Sequence, residues 1–110
     1  MFYKVIGILK RPEKMTFAEF KQWWLTVHVP RVLQWPGLKA YHVNFALNED
    51  EPFDGVAEVW FNNRNDAENI FSTPEGKEAR QAATAESGKS VIFLAEENVI
   101  VPLDEVPTGK

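Results

Sequence analysis

Residues 2 to 9, FYKVIGIL, are apolar at every position but Lys4, so the strand they predict has two faces to cover. Helices can supply one cover, and the other must come from elsewhere. After a polar loop from Lys10 to Lys14 the spacing changes. Thr16 and Glu19 carry the pattern of a capping box, with Met15 and Phe20 at the positions of a hydrophobic staple. Phe17, Phe20, Trp24, Val27, His28 and Arg31 then recur every three or four residues, which predicts an amphipathic helix to about Leu33. Pro30 falls inside it. Lacking an N–H and pressing on the carbonyl of Thr26, it predicts a kink or loosening at His28. Pro36-Gly37 ends the segment.

Leu38 to Leu47 alternates as a second strand, with Tyr41, Val43, Phe45 and Leu47 on one side and Ala40, His42, Asn44 and Ala46 on the other. An acidic hairpin loop, Asn48 to Pro52, leads to a third strand from Phe53 to Phe61, which puts Asp54, Val56, Glu58 and Trp60 on one face. Residues 65 to 71 predict a short helix. Ser72, Thr73, Pro74 and Glu75 supply an N-cap and a first-turn proline for another, running to about Ala85. Following a break at 87–89, residues 90 to 101 predict a long strand with a polar interruption at Glu96 to Asn98, and the tail through Lys110 is expected to extend over a neighbour.

The predicted order is β-α-β-β-α-β, the split ferredoxin-like α+β pattern, as a single domain over residues 1–110. Its helices cover one sheet face only. The strands are apolar on the other face too, and a second copy of the same sheet is the simplest cover, so a homodimer through the sheet faces is expected.

Composition narrows the chemistry. With no cysteine there is no disulfide framework, no thiolate nucleophile and no cysteine-rich zinc site; a reducing cytoplasm is the expected location. The short apolar start followed by charges does not read as a signal peptide, and no run approaches the length of a membrane span. A net charge of -4 with scattered basic residues argues against nucleic acid as a partner. Eight Phe, four Trp and two Tyr are a large apolar payload for 110 residues, enough for an aromatic core, pocket or subunit interface.

The stretch Phe17 to Tyr41, with Phe20, Trp24, His28, Pro30, Pro36 and Gly37, resembles the EthD family of dimeric α+β barrels. The run Phe53 to Phe61, Pro74-Glu75-Gly76 and the closing strand extend the resemblance over nearly the whole chain. It implies a pocket between sheet and helices in each subunit, no cofactor, and chemistry on small or polycyclic organic molecules, as in the methylmuconolactone methylisomerase-like and polyketide-tailoring members. A fold shared by many reactions does not choose among them.

His28 is the first candidate for catalysis, because imidazole takes and returns a proton near neutral pH and because it matches the family's helix histidine. The competing reading is a helix-end histidine bonded to a carbonyl freed by Pro30. Tyr41 corresponds to a pocket tyrosine of a relative, where a phenol could donate to a developing enolate oxygen. Glu58 lies mid-strand; burial would raise its pKa into the range of a general acid or base, whereas a cross-strand pair with Lys4 or Lys39 would leave it structural. Asn98 stands where many EthD-type sequences carry His, and an amide can orient a substrate without acting as a base.

Phe17, Phe20, Trp23, Trp24, Trp35 and Trp60 could line a flat pocket for a cyclic or aromatic substrate, with His42 and Asp54 as polar substrate contacts. The other reading packs Phe20 and Trp24 between helix and sheet, with Trp23 and Trp35 nearer the surface and Asp54 in turn or capping work. His28 and His42 have no recognised ligand spacing, so no metal is expected. Two functions follow: a cofactor-independent lyase, dehydratase or isomerase acting by proton transfer, or a non-catalytic binding protein for a hydrophobic ligand, with haem among the candidates.

Overall fold

The computed structural model describes residues 2–103, so residues 104–110 of the predicted tail lie outside it. The elements in order are β1 (Phe2–Lys10), α1 (Phe17–Trp23), a π-helical turn (Trp24–His28), α2 (Val29–Val32), β2 (Leu38–Phe45), β3 (Gly55–Phe61), α3 (Arg64–Asn69), a 3-10 turn (Ile70–Ser72), α4 (Pro74–Glu86) and β4 (Lys89–Glu97). With consecutive helical pieces counted together, this is the ferredoxin-like α+β order. All pairings in the β2-β3-β1-β4 sheet are antiparallel.

Strand alternation assigns the two faces. Val5, Leu9, Ala57, Val59 and Phe61 are buried beneath the helices. On the opposite face the register lines up His42, Glu58, Ile6 and Phe93 in one row across the sheet, with Val56, Ile8 and Val91 in the next. That face carries no helix, and Val91 and Phe93 stay 43% and 44% exposed.

α1 begins as its sequence dictates. The Thr16 hydroxyl accepts from the Glu19 N–H at 3.1 Å, and the Glu19 carboxylate accepts from the Thr16 N–H at 2.9 Å. The loosening expected near His28 takes the form of a π-helical turn, in which the Val29 N–H reaches back five residues to the Trp24 carbonyl. Pro30 cannot donate to Thr26, and the wider turn absorbs that missing bond. The extra residue also rotates the helix face: Trp23 and Val32 are buried, while Val27, placed on the apolar stripe by its spacing, is 41% exposed. A β-bulge at Leu38/Ala40 follows the Pro36-Gly37 turn, whose glycine adopts φ 77°.

Two strand ends differ from expectation. β2 stops at Phe45, leaving Leu47 fully exposed in the loop, and β4 stops at Glu97. Asn98 is therefore not a strand residue. It starts the segment Asn98 to Leu103, whose apolar side chains have no further strand to pair with and are half to almost fully exposed. Asp54, expected at the start of β3, lies just before it and is completely buried. It accepts the Arg11 N–H at 2.8 Å and faces Lys10 at 3.5 Å and the Arg11 guanidinium at 3.7 Å. This tethers the β2–β3 loop to the end of β1 and leaves Asp54 away from the cavity described next.

Candidate active site

A cavity of about 30 Å³ lies between the sheet and the helices. It has space for a water or two. Gly7 and Ala57 lie on its sheet side and Ala79 and Ala83 on its α4 side, so small residues from two layers create the space. A Cβ placed on Gly7 would meet only Ala57, at 3.9 Å. His28, Trp35 and Tyr41 bring polar atoms and Arg80 a charged group to a lining whose other residues, Phe71 among them, are apolar.

The π-helical turn delivers His28. Its ring stacks on Trp23 at 5.4 Å and 12°, and meets Trp24 edge-on at 6.3 Å. Only 6% of His28 is exposed, and its Nδ1 is buried without a hydrogen-bond partner. The bond to a freed helix carbonyl, the alternative reading of this residue, is thus not made by Nδ1. Burial, reinforced by the charge of Arg31 and opposed by Glu86, pushes the imidazole down to about 4, so it is neutral at pH 7.

Tyr41 projects from β2 into the same lining, and its hydroxyl accepts from Trp24 Nε1 at 3.4 Å. Burial raises the phenol's pKa, which keeps it a proton-bearing donor. The Trp35 Nε1 is a second buried polar atom without a partner; its ring is held by Phe61 at 6.1 Å and Phe71 at 5.7 Å. Buried groups left unpaired are uncommon and destabilising. Two of them in the lining of one cavity, beside a phenol, give it a defined capacity for a ligand oxygen.

One more cluster borders the site. Glu86, at the end of α4, accepts from Trp23 Nε1 at 2.9 Å and from both terminal nitrogens of Arg31 at 3.2 and 3.1 Å. It joins the helix carrying His28 to α4.

The residues singled out from the sequence do not form one site. His28 and Tyr41 share the cavity. Phe20 and Trp24 are fully buried and do not line it; they pack helix against sheet. Trp23 and Trp35, nearer the surface in the alternative packing reading, are 8% and 7% exposed, Trp23 between Phe20 and His28 and Trp35 between Phe61 and Phe71. Glu58, His42, Trp60 and Asn98 belong to the other side of the sheet. Glu58 is not the buried acid that a mid-strand carboxylate suggested: Lys4 pairs with it at 2.8 Å, Asn44 donates to it at 3.2 Å, and Lys4 foremost holds its carboxyl below the usual range.

Trp60 donates to Glu97 at 2.6 Å, takes the Lys4 ammonium over its ring at 4.7 Å and meets His42 edge-on at 4.7 Å. Here a groove of about 630 Å³ runs between Ala40, His42 and Trp60 and the segment Asn98 to Leu103. Trp35, one of the aromatics offered for a pocket, does line the cavity, whereas Phe17 and Trp23 do not. Arg80 was not among the candidates, and nothing in the spacing of α4 marks it as facing a cavity.

A four-stranded antiparallel sheet with helices on one face, enclosing a small cavity with an imidazole and a phenol in its lining, defines a ferredoxin-like α+β protein. The model of the EthD domain matches residues 12–86, and the chain belongs to the EthD family. An uncharacterised 11.0 kDa protein of the thcB-thcC intergenic region of Rhodococcus erythropolis is 30% identical over 107 residues, covering 89% of this chain and 98% of that protein.

An EthD family protein from Bacillus halodurans superposes with a TM-score of 0.77 at 22% identity, over 89% of this chain and all of the other. A hydroxynitrile lyase from Passiflora edulis gives 0.69 at 18%, over 92% and 97%. A dimeric ferredoxin-like protein of unknown function from Thermobifida fusca gives 0.65 at 14%, over 86% and 90%. At these identities the structures share the fold. Among the described residues, no helix is long and apolar enough to cross a membrane.

Proposed function

We propose that the chain is a cytoplasmic, cofactor-independent lyase, dehydratase or isomerase, acting by proton transfer on a small cyclic or aromatic-derived compound. The observation that carries this reading is a buried, neutral imidazole with an unpartnered Nδ1 in the lining of a cavity. The reacting edge of the substrate turns into the cavity, and the rest of its ring lies toward the mouth, against Phe71.

His28 removes a proton from the carbon next to a carbonyl, and the electron pair moves to the carbonyl oxygen, which accepts from Tyr41 and Trp35. Returning the proton at another carbon isomerises the substrate; loss of a β-hydroxyl, with the proton, eliminates water. An imidazole with a pKa near 4 is a weak base at rest, and the negative charge developing beside it strengthens it during the step. The lyase that shares the fold supports a reading in this class. The binding-protein alternative with haem finds no support on the helix side, where about 30 Å³ is far too little for that ligand.

The working unit in this reading is a homodimer through the bare sheet faces. Exposed Val91 and Phe93, and a dimeric protein of the same fold, support it.

The test needs no knowledge of the substrate. A panel of cyclic ketones and lactones is incubated with the protein in D2O, and exchange of the protons next to the carbonyl is followed by NMR. Exchange above the buffer rate that disappears in His28→Gln is expected. If no compound exchanges faster than in buffer, or if His28→Gln matches the wild type, the proposal fails.

A further inference from the structure

Arg80 is the one charged side chain in the cavity lining. It projects from α4, is exposed, and holds its guanidinium 4.8 Å from the centre of the Phe71 ring, itself part of the lining. A guanidinium held over an aromatic face by cation–π attraction still has its N–H fork to offer a carboxylate.

The other three arginines are engaged with carboxylates: Arg11 with Glu49 and Asp54, Arg31 with Glu86, and Arg64 with Glu68. Among the described residues, Arg80 pairs with none. In a chain with sixteen acidic residues against twelve basic ones, the guanidinium left over is the one beside the cavity.

We propose that Arg80 is the anion-recognition residue of this cavity, and that its ligand is a small organic acid whose carboxylate Arg80 binds at the mouth. The uncharged end of the acid carries a carbonyl or hydroxyl oxygen to the unpartnered Trp35 N–H, with a hydroxyl or an acidic C–H turned toward His28 Nδ1. The guanidinium fork matches a carboxylate in a two-point contact, which an uncharged amide of the same shape cannot reproduce. The ring or chain between the two ends lies on Phe71. This assignment rests on the proposed function for its choice of site, and it concerns binding, which can be measured without turnover.

The probes are two pairs of compounds, 3- and 4-oxocyclohexanecarboxylate and their carboxamides, each with an enolisable ketone. Binding is read from backbone and Trp35 indole N–H shifts in two-dimensional NMR, which also reports whether each variant is folded. For the wild type, at least one acid is expected to bind ten-fold or more tightly than its amide, moving the Trp35 indole signal. Arg80→Gln should abolish that preference, Arg80→Lys should restore part of it, and His28→Gln should retain it.

Equal affinities for acid and amide, no binding of either acid, or a preference that survives in Arg80→Gln overturns the proposal. Proton exchange in the same samples separates it from the catalytic reading. An Arg80-dependent acid preference without exchange keeps the anion site and defeats catalysis, whereas His28-dependent exchange that ignores Arg80 does the reverse.

Discussion

The indole of Trp24 lies against the bare backbone of Gly55: a Cβ at Gly55 would stand 2.6 Å from Trp24 Cζ3 and 3.1 Å from the Asn44 carbonyl oxygen. This close approach sets the depth at which the helix carrying His28 sits on the sheet. Trp24 in turn donates to Tyr41, so the glycine positions both polar ends of the cavity indirectly. Gly55→Ala should force the indole outward. Overpacking of this kind costs about 1–3 kcal/mol. Urea denaturation should show a lower midpoint at unchanged slope, and the Trp24 indole signal should shift. A variant as stable as the wild type would show that the ring is free to move.

Much of this fold was legible because local chemistry and tertiary structure agree. Thr16 and Glu19 announce their helix, Thr73 and Pro74 theirs, and the alternation on β3 assigns faces that the structure keeps. What escaped depends on contacts distant in the chain. Trp23 is buried because Glu86, 63 residues away, takes its N–H. His28 and Glu58 were both candidates for acid–base work, one from its helix and the other from its mid-strand position, yet the sheet separates them. Arg80 shows no signal of its own, since only the packing of α4 over Gly7 and Ala57 turns its position into the edge of a cavity.

Acid should destabilise the protein in two stages. Between pH 6.5, the ordinary imidazole value, and about 4, an unfolded chain holds a proton at His28 that the folded chain does not. Stability is therefore fully present above pH 6.5 and is lost as pH falls toward 4, by up to about 3 kcal/mol for a shift of this size. Glu58 and Glu86, whose carboxyls are held low, add their losses below about 4.5, because protonation dissolves their pairs with Lys4 and Arg31. Unfolding free energies measured from pH 7 to 4.5 should fall steadily in the wild type and stay nearly flat in His28→Phe, whose ring can keep the stack on Trp23. Parallel curves would contradict a buried neutral His28.

Glu86 offers an independent check on the same imidazole. Its charge opposes those that lower the His28 pKa. Glu86→Ala should therefore move the His28 midpoint further down, read from the imidazole protons by NMR. The loss of a half-exposed carboxylate that holds Arg31 at two points and Trp23 at a third should cost about 1 kcal/mol. An upward shift would mean that the Trp23 stack comes apart and admits water to His28.

The bare sheet face gives the last prediction, because its two halves differ. Toward β2 it is polar, with Lys4, Glu58 and Asn44 already satisfying one another. Toward β4 it is apolar, with Ile6, Ile8, Val91 and Phe93 in neighbouring register positions. A partner sheet can cover the apolar half at a gain, and it meets charges in the polar half that are already paired, which limits their desolvation penalty. Phe93→Glu puts an unpaired carboxylate into that apolar half and should convert a dimer to a folded monomer in analytical ultracentrifugation. Leu47→Glu, on a fully exposed leucine of the β2–β3 loop, should leave the dimer intact. A monomeric wild type, or a Phe93→Glu protein that still sediments as a dimer, would place the interface elsewhere or remove it.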